Sequence, residues 1–333
     1  MKSILMGGGK LFSVYTPETL GRLADIAALS PVPVTREEIL ADPARFADTE
    51  IIFSTWGMPK FSEEELRTCL PSLRAVFYAA GSVQAFAREH LNRGIRVFSA
   101  WASNAVPVAE YTVAQIILAN KGFYQSCRIM SGGDHKGAKS HFRDMPGNYG
   151  ARVGIIGAGM IGKMVLRRLH DYRLETVTYD PFLSDEAADA LGTKKVSLPE
   201  LFETCSVISN HVANRPATVG MLHYGLFSRM RETATFLNTG RGAQVVEDDL
   251  IRALRECPRR TAVLDVTMPE PPESGSPFYS LPNVFLTPHI AGSAGDEVAR
   301  MGEQMADAYT LWLEKGEERL DCEVTLPMLE TMA

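Results

Sequence analysis

The chain has 333 residues, 45% hydrophobic and 22% charged, with a formal net charge of −6 and a pI near 5.7. That length allows two ordinary domains, each able to bury a core, and the acidic balance leaves no electrostatic footprint for nucleic acid. No stretch approaches the ~20 apolar residues of a membrane span, and Ser3-Ile4-Leu5-Met6 ahead of Gly7-Gly8-Gly9 is too short for a signal-peptide core. The five cysteines, at 69, 127, 205, 257 and 322, show no C-x-x-C spacing. Reduced thiols, no metal site and a cytoplasmic protein are therefore expected.

The first hundred residues alternate strand and helix signals. Residues 2–6 read as a strand. Thr16 followed by Pro17 reads as an N-cap with proline at the first helical position, and Leu20, Leu23 and Ile26 supply an apolar stripe. Thr35 with Glu38, and Ser62 with Glu65, have capping-box spacing and predict two further helices. Strand-like runs lie at 51–53, 75–78 and 95–98. Such alternation implies a parallel sheet covered by helices. Its functional loops would follow the strands, at Thr55-Trp56-Gly57 and at Ala80-Gly81-Ser82-Val83. Trp56 and Met58 could line a pocket there, although packing is the commoner use of such residues.

Residues 104–130 carry one long helical pattern, a bridge to a second domain, and 131–150, with five glycines and a proline, read as an irregular arm. A second α/β unit begins at Arg152. Val153-Gly154-Ile155-Ile156 is a short apolar strand that runs into Gly157-Ala158-Gly159-Met160-Ile161-Gly162, a G-x-G-x-x-G turn at the start of a helix. Gly157 permits the bend, Gly159 admits a pyrophosphate to the backbone, and Gly162 lets the helix pack on its strand. A β-branched run, 176–179, ends at Asp180, near the ~20-residue spacing at which an acid holds the adenine ribose. Ser197 and Glu200 cap a short helix. Further buried strands are predicted at 207–210, 234–238, 262–266 and 284–286, with a helix at 247–257 and a last amphipathic helix at 296–315. The tail, 321–333, has little pattern.

Three stretches at these strand ends could carry chemistry: Asn238-Thr239-Gly240-Arg241-Gly242, Asp265-Val266-Thr267-Met268-Pro269-Glu270-Pro271, and Thr287-Pro288-His289-Ile290-Ala291-Gly292. In an open parallel sheet, ligands bind beyond the carboxyl ends of the strands. An arginine there can fork onto a carboxylate and polarise the adjacent carbonyl. A histidine can give or take a hydroxyl proton, and a glutamate beside it favours the protonated ring. Each residue alone would as readily serve a turn or a solvated loop. Their joint arrival behind a dinucleotide turn favours the chemical reading. The histidines at 90, 135, 141, 170 and 223 have no such context.

On these motifs the chain resembles the D-isomer-specific 2-hydroxyacid dehydrogenases over nearly its whole length. The resemblance also rests on Tyr179-Asp180-Pro181, on Ser209-Asn210-His211-Val212-Ala213, and on Pro282-Asn283-Val284 before the histidine stretch. It implies two doubly wound parallel-sheet domains, with a Rossmann-type cofactor domain (104–296) inserted into a flavodoxin-like substrate domain (1–103 and 297–333). It implies Arg241 as the substrate-binding catalytic residue and His289 with Glu270 as the acid/base pair. Gly81 and Ser82 would offer N–H groups to the substrate carboxylate. Gly157, Gly159, Met160, Ile161, Gly162, Asp180, His211, Ala213, Thr239, Gly240 and Asp265 would surround the cofactor, and a homodimer would form through the cofactor domain. Gly240 stands where that family usually has alanine or serine, which predicts a looser loop under Arg241. Ala213 replaces a common proline and Thr267 a frequent aromatic.

Asp180 can accept hydrogen bonds from a ribose 2′-hydroxyl but repels a 2′-phosphate, and no Arg or Lys follows it before Lys194. NAD is therefore expected rather than NADP. The expected activity is hydride transfer between NADH and a small 2-oxo acid. Rival readings are a dinucleotide-sensing binding protein of the co-repressor type and a formate dehydrogenase. The latter would carry glutamine where Glu270 stands.

Overall fold

The computed structural model describes residues 1–316 and 318–330. Glu317 and residues 331–333, the end of the predicted substrate domain, lie outside the described residues. The chain forms two α/β units, Met1–Ala105 with Ser293–Ala333, and Val106–Gly292.

In the first unit, β1 (Lys2–Met6), β2 (Leu29–Pro33), β3 (Thr49–Ser54), β4 (Ala75–Tyr78) and β5 (Arg96–Ser99) are parallel, in the spatial order 2-1-3-4-5. This is the flavodoxin-like winding. Alternate residues of each strand face opposite layers, as the two-residue side-chain period requires. Leu5, Ile51, Phe53 and Phe77 enter one core, with Phe98, Tyr309 and Trp312. Ile4, Met6, Ile52 and Val76 enter the other, where Met58 is also buried. Trp56 packs against both cores. Phe53 stacks on Phe77 at 5.5 Å and Phe77 on Phe98 at 4.6 Å, so one aromatic column runs across three strands.

The predicted caps form. Glu38 N donates to Thr35 Oγ1 (3.2 Å) and Thr35 N to Glu38 Oε2 (2.8 Å); Ser62 and Glu65 repeat the exchange at 3.2 and 2.9 Å. β2 was not expected from its sequence, Leu29-Ser30-Pro31-Val32-Pro33. Prolines are tolerated because β2 is an edge strand, where missing N–H donors leave no inner ladder broken.

The predicted helix at 104–130 is two helices. The first, Trp101–Asn120, starts before the expected boundary and contains Pro107. It stops at Gly122, whose φ of +66° suits glycine, and Phe123–Ser131 follows. The arm read as irregular contains a helix, His135–Arg143, capped by Asp134 Oδ1 accepting from Gly137 N (2.8 Å). Glycine and dispersed charge hide its period.

The second unit holds β6 (Tyr149–Ile156), β7 (Arg173–Tyr179), β8 (Lys194–Lys195), β9 (Val207–Asn210), β10 (Thr235–Asn238), β11 (Thr261–Leu264) and β12 (Val284–Leu286). All are parallel, ordered 12-11-10-9-6-7-8 across the sheet. Counted within the unit this is 3-2-1-4-5-6 with one further strand, the Rossmann winding. The chain then returns to the first unit through the helix Ala299–Lys315. The tail, expected to lack pattern, adds β13 (Glu323–Val324) antiparallel to β5 and a short helix, Leu326–Leu329. Two residues are too few to show a period. Arg96 Nε and Nη2 fork onto the Glu323 carboxylate at 2.8 and 2.7 Å beside this pairing.

Candidate active site

The parallel register of the second sheet places the ends of β6, β7, β9, β10, β11 and β12 along one edge, and every candidate of this unit follows one of those ends. After β6, Gly157 has φ +89°, and a Cβ there would press on the His211 carbonyl and the Val212 nitrogen at 3.0 Å. Glycine is thus required both by the bend and by the crossing β9 chain. A Cβ at Gly162 would collide with the Gly157 carbonyl oxygen, so helix and turn are in direct contact. A Cβ at Gly159 would meet no atom within 4 Å. The outer side of the turn is therefore open, and Gly159 is the N-cap of the helix Met160–Leu169. Helix geometry leaves the N–H groups of Met160, Ile161 and Gly162 without intrahelical acceptors, an arrangement suited to a phosphate.

Asp180, at the end of β7, accepts from Ala158 N at 2.7 Å and from Phe182 N at 2.8 Å. Its carboxylate is therefore tied into the glycine turn itself. Phe182 is 78% exposed, and the Arg215 guanidinium lies 5.2 Å from its ring centroid. Arg215 comes from the loop after β9, so the fold brings a cation to Phe182, two residues beyond Asp180.

In that loop His211 Nε2 lies 2.9 Å from Ser209 Oγ, while Nδ1 is sealed from solvent with no partner among the described residues. The Ala213 carbonyl accepts from Thr218 Oγ1 (2.8 Å). Burial pushes the His211 imidazole down to about 4, against ~6.5 in an unfolded chain. Between those values the unfolded chain takes up a proton that the native fold refuses. The stability contributed by neutral His211 is thus fully present above about pH 6.5 and is lost as pH falls toward 4. His211→Gln is expected to remove up to ~3 kcal/mol of the pH 7 to pH 4 stability loss. Urea titrations of both proteins at the two pH values measure this, and an equal acid loss in both would contradict it.

After β10, Thr239 and Gly240 are buried, and Thr239 Oγ1 lies 3.3 Å from Thr112 Oγ1. At Gly240, where a looser loop was expected, the N–H donates to Asn238 Oδ1 at 3.1 Å, and a Cβ would lie 3.0 Å from Asn210 Nδ2. Arg241 is half-buried and turns one Nη1 onto the Gly240 carbonyl (2.7 Å). A Cβ at Gly242 would collide with the Thr267 carbonyl, so the Arg241 loop lies flat against the loop that carries Glu270. Glu247 Oε1 accepts from Met268 N (2.7 Å) and ties the same two loops from the next helix.

Asp265 is 3% exposed, and neighbours occupy both its carboxylate oxygens. Oδ1 accepts from Thr287 Oγ1 (2.6 Å) and Ile290 N (2.8 Å), and Oδ2 from Ala291 N (2.9 Å). The His289 N–H donates to the Asp265 carbonyl at 3.0 Å. Asp265 thus staples the His289 loop onto β11. That restraint holds His289 at φ +54°, a left-handed conformation costly for a non-glycine residue. His289 Nδ1 and Glu270 Oε1 are 2.7 Å apart, with both side chains nearly half exposed. The pair is a rigidly mounted imidazole with one nitrogen committed to a carboxylate and Nε2 left for chemistry.

Gly81 and Ser82 belong to the first unit, after β4. Ser99 Oγ donates to the Ala80 and Gly81 carbonyls at 2.9 and 2.7 Å, which fixes that turn; Ser82 is exposed. Among the described residues no group of three or more His, Cys, Asp or Glu could hold a metal ion. No helix among them is long and apolar enough to cross a membrane.

Residues 113–291 match the model of the D-isomer specific 2-hydroxyacid dehydrogenase NAD binding domain. The D-3-phosphoglycerate dehydrogenase of Archaeoglobus fulgidus is 32% identical over 215 residues, covering 65% of this chain and 40% of that protein. The chain therefore spans about two fifths of the length of that curated relative. Among solved structures, the NAD complexed D-isomer specific 2-hydroxyacid dehydrogenase of Lactobacillus delbrueckii ssp. bulgaricus aligns over 97% of this chain and 100% of its own. Its TM-score is 0.78 at 19% identity. The apo D-mandelate dehydrogenase of Rhodotorula graminis aligns over 93% and 94%, with TM-score 0.78 and 22% identity. At such identities the likeness concerns the fold.

Proposed function

We propose a function from one premise: the chain belongs to the D-isomer specific 2-hydroxyacid dehydrogenase family. The function is the NAD-dependent interconversion of a small 2-oxo acid and its D-2-hydroxy acid. The observation that carries it is the 2.7 Å His289–Glu270 pair, mounted on the strand edge that also presents Arg241 and the open glycine turn.

Val106–Gly292 is the cofactor unit, and the first unit is the substrate unit. The turn at Gly157, Gly159 and Gly162 with the N–H groups beside Met160 and Ile161 would hold the pyrophosphate. Asp180 would hold the adenine ribose. His211, Ala213, Thr239, Gly240 and Asp265 would border the rest of the dinucleotide. NADH, when bound, supplies the hydride. Arg241 binds the substrate carboxylate through its planar fork and draws electron density from the adjacent carbonyl. Glu270 accepts a hydrogen bond from Nδ1–H of the protonated His289 and fixes the ring, so Nε2 hands its proton to the carbonyl oxygen as the alcohol forms, and takes it back in the reverse direction. Gly81 and Ser82 keep the role the resemblance gives them, as N–H donors to the carboxylate. Phe123, Met130, Phe142 and Tyr149 are exposed on the cofactor unit and suit a homodimer contact. The five free cysteines suit the cytoplasm.

The reading is tested by following NADH absorbance with glyoxylate, hydroxypyruvate, pyruvate and bulkier 2-oxo acids. Consumption with at least one acid is expected. Silence across the panel together with tight NADH binding would replace the enzyme with a dinucleotide sensor. The cofactor preference has its own outcome. Wild type should bind NADH at least tenfold more tightly than NADPH, a difference of ~1.4 kcal/mol or more. Asp180→Ser should narrow the gap, because it removes the charge that repels a 2′-phosphate. Fluorescence titration measures both, and an unchanged ratio in Asp180→Ser would count against the role given to Asp180.

A further inference from the structure

The backbone of Arg241 is held by a knot of buried amides that the proposed chemistry does not use. Asn210 ends β9, Asn238 ends β10, and Gln244 closes the short 3₁₀ turn after Arg241; their exposures are 0%, 1% and 0%. Asn210 Nδ2 donates to Asn238 Oδ1 (3.0 Å) and to Gln244 Oε1 (2.7 Å). Asn238 Oδ1 also accepts the Gly240 N–H (3.1 Å), and Gln244 Oε1 also accepts the Arg241 N–H (3.2 Å). Asn238 Nδ2 donates to the Arg241 carbonyl (3.1 Å), and Gln244 Nε2 to the Val212 carbonyl (2.8 Å).

The accounting closes. Both Asn210 amide protons are used, and both shared oxygens accept twice. Reversing the Asn238 or Gln244 amide would aim an NH₂ at a backbone N–H, so the network holds together in one sense only. Gly240 completes it. A Cβ there would lie 3.0 Å from Asn210 Nδ2 and 3.1 Å from Gln244 Oε1, tight enough to push the amides apart. The glycine that the sequence suggested as a source of looseness is what admits the clamp.

We propose that Asn210, Gln244 and Gly240 form one positioning device that preorganises Arg241 for its substrate. The proposal rests on Arg241 as the substrate-binding residue. None of the three needs to touch substrate; they are positioning residues, acting on the Arg241 N–H through Gln244 and on its carbonyl through Asn238, which Asn210 holds. A preset loop lets the guanidinium meet the substrate carboxylate without first losing loop entropy.

The test compares Gln244→Leu and Gly240→Ala, each in the wild-type and the Arg241→Ala background. The readouts are glyoxylate turnover with NADH, NADH affinity, and amide hydrogen exchange over residues 238–242. In the wild-type background each change should lower kcat/KM at least tenfold, mainly through KM. NADH affinity should stay within twofold for Gln244→Leu, and exchange in the segment should quicken in both variants. In the Arg241→Ala background the same changes should add less than a further twofold loss, because their target is gone. Should Gln244→Leu fail to fold, Gly240→Ala carries the whole comparison. Unchanged exchange, or equal losses in both backgrounds, would overturn the proposal. Wild-type turnover by Arg241→Ala alone would instead remove the functional reading beneath it, a distinguishable result.

Discussion

His289→Ala is expected to lower kcat by about 10²–10⁴, the usual range for losing a positioned general acid, while the KM for the 2-oxo acid changes little. The geometry gives the reason. Nδ1 is committed to Glu270 at 2.7 Å, so Nε2 is the nitrogen able to exchange a proton with substrate. The loop is fixed by three hydrogen bonds to the Asp265 carboxylate and one to its carbonyl, so the alanine variant should keep the loop in place and lose only the ring. Glu270→Gln should cost less, on the order of tenfold, since an amide oxygen still accepts from Nδ1 but carries no charge to stabilise the protonated ring. Steady-state assays of the two variants at saturating NADH measure both effects. Full turnover by His289→Ala would remove it from the mechanism.

Arg241→Ala should lower kcat/KM by roughly 10³ or more, with losses in both parameters. The side chain is asked to do two things: bind the carboxylate, which acts in the ground state, and polarise the carbonyl, which strengthens as charge develops there. Removing one preorganised donor of the second kind typically costs 10²–10³, and the lost carboxylate fork adds to it. Arg241→Lys should recover little, because a point charge cannot reproduce two parallel N–H bonds. NADH affinity should be nearly unchanged in both variants, since the change removes no part of the glycine turn or Asp180. A variant that loses NADH binding in step with turnover would indicate a collapsed loop rather than a missing guanidinium.

What could be read from the sequence divides by the range of the interaction. Capping boxes at Thr35 and Ser62, the glycine turn, and the strands that precede each motif depend on neighbours within a few positions, and their residue types announce them. Elements with weak local signals were missed. The prolines of β2 are permitted only because it lies at an edge. The helix His135–Arg143 is polar with a glycine inside. β13 is two residues long and exists through its pairing with β5.

The same rule governs the site. Arg241, Glu270 and His289 stand out as residue types in motif positions. Their surroundings do not: Asn210 ends β9 and Gln244 lies in the 3₁₀ turn after β10, and both look unremarkable in the chain, yet they meet at 2.7 Å. Arg215 lies 35 residues after Asp180 in the chain and reaches Phe182 only through the fold. Gly240 was legible as unusual, but the amides beside it were not, because Asn210 comes from another strand and meets it only through the fold.

The central claim concerns the hand of the product. The most direct measurement takes the acid that NADH reduces fastest, runs the reaction to completion, and resolves the 2-hydroxy acid by chiral chromatography. The D enantiomer is expected, formed in amounts equal to the NADH consumed. An L or racemic product, or NADH oxidation without hydroxy acid, would contradict it.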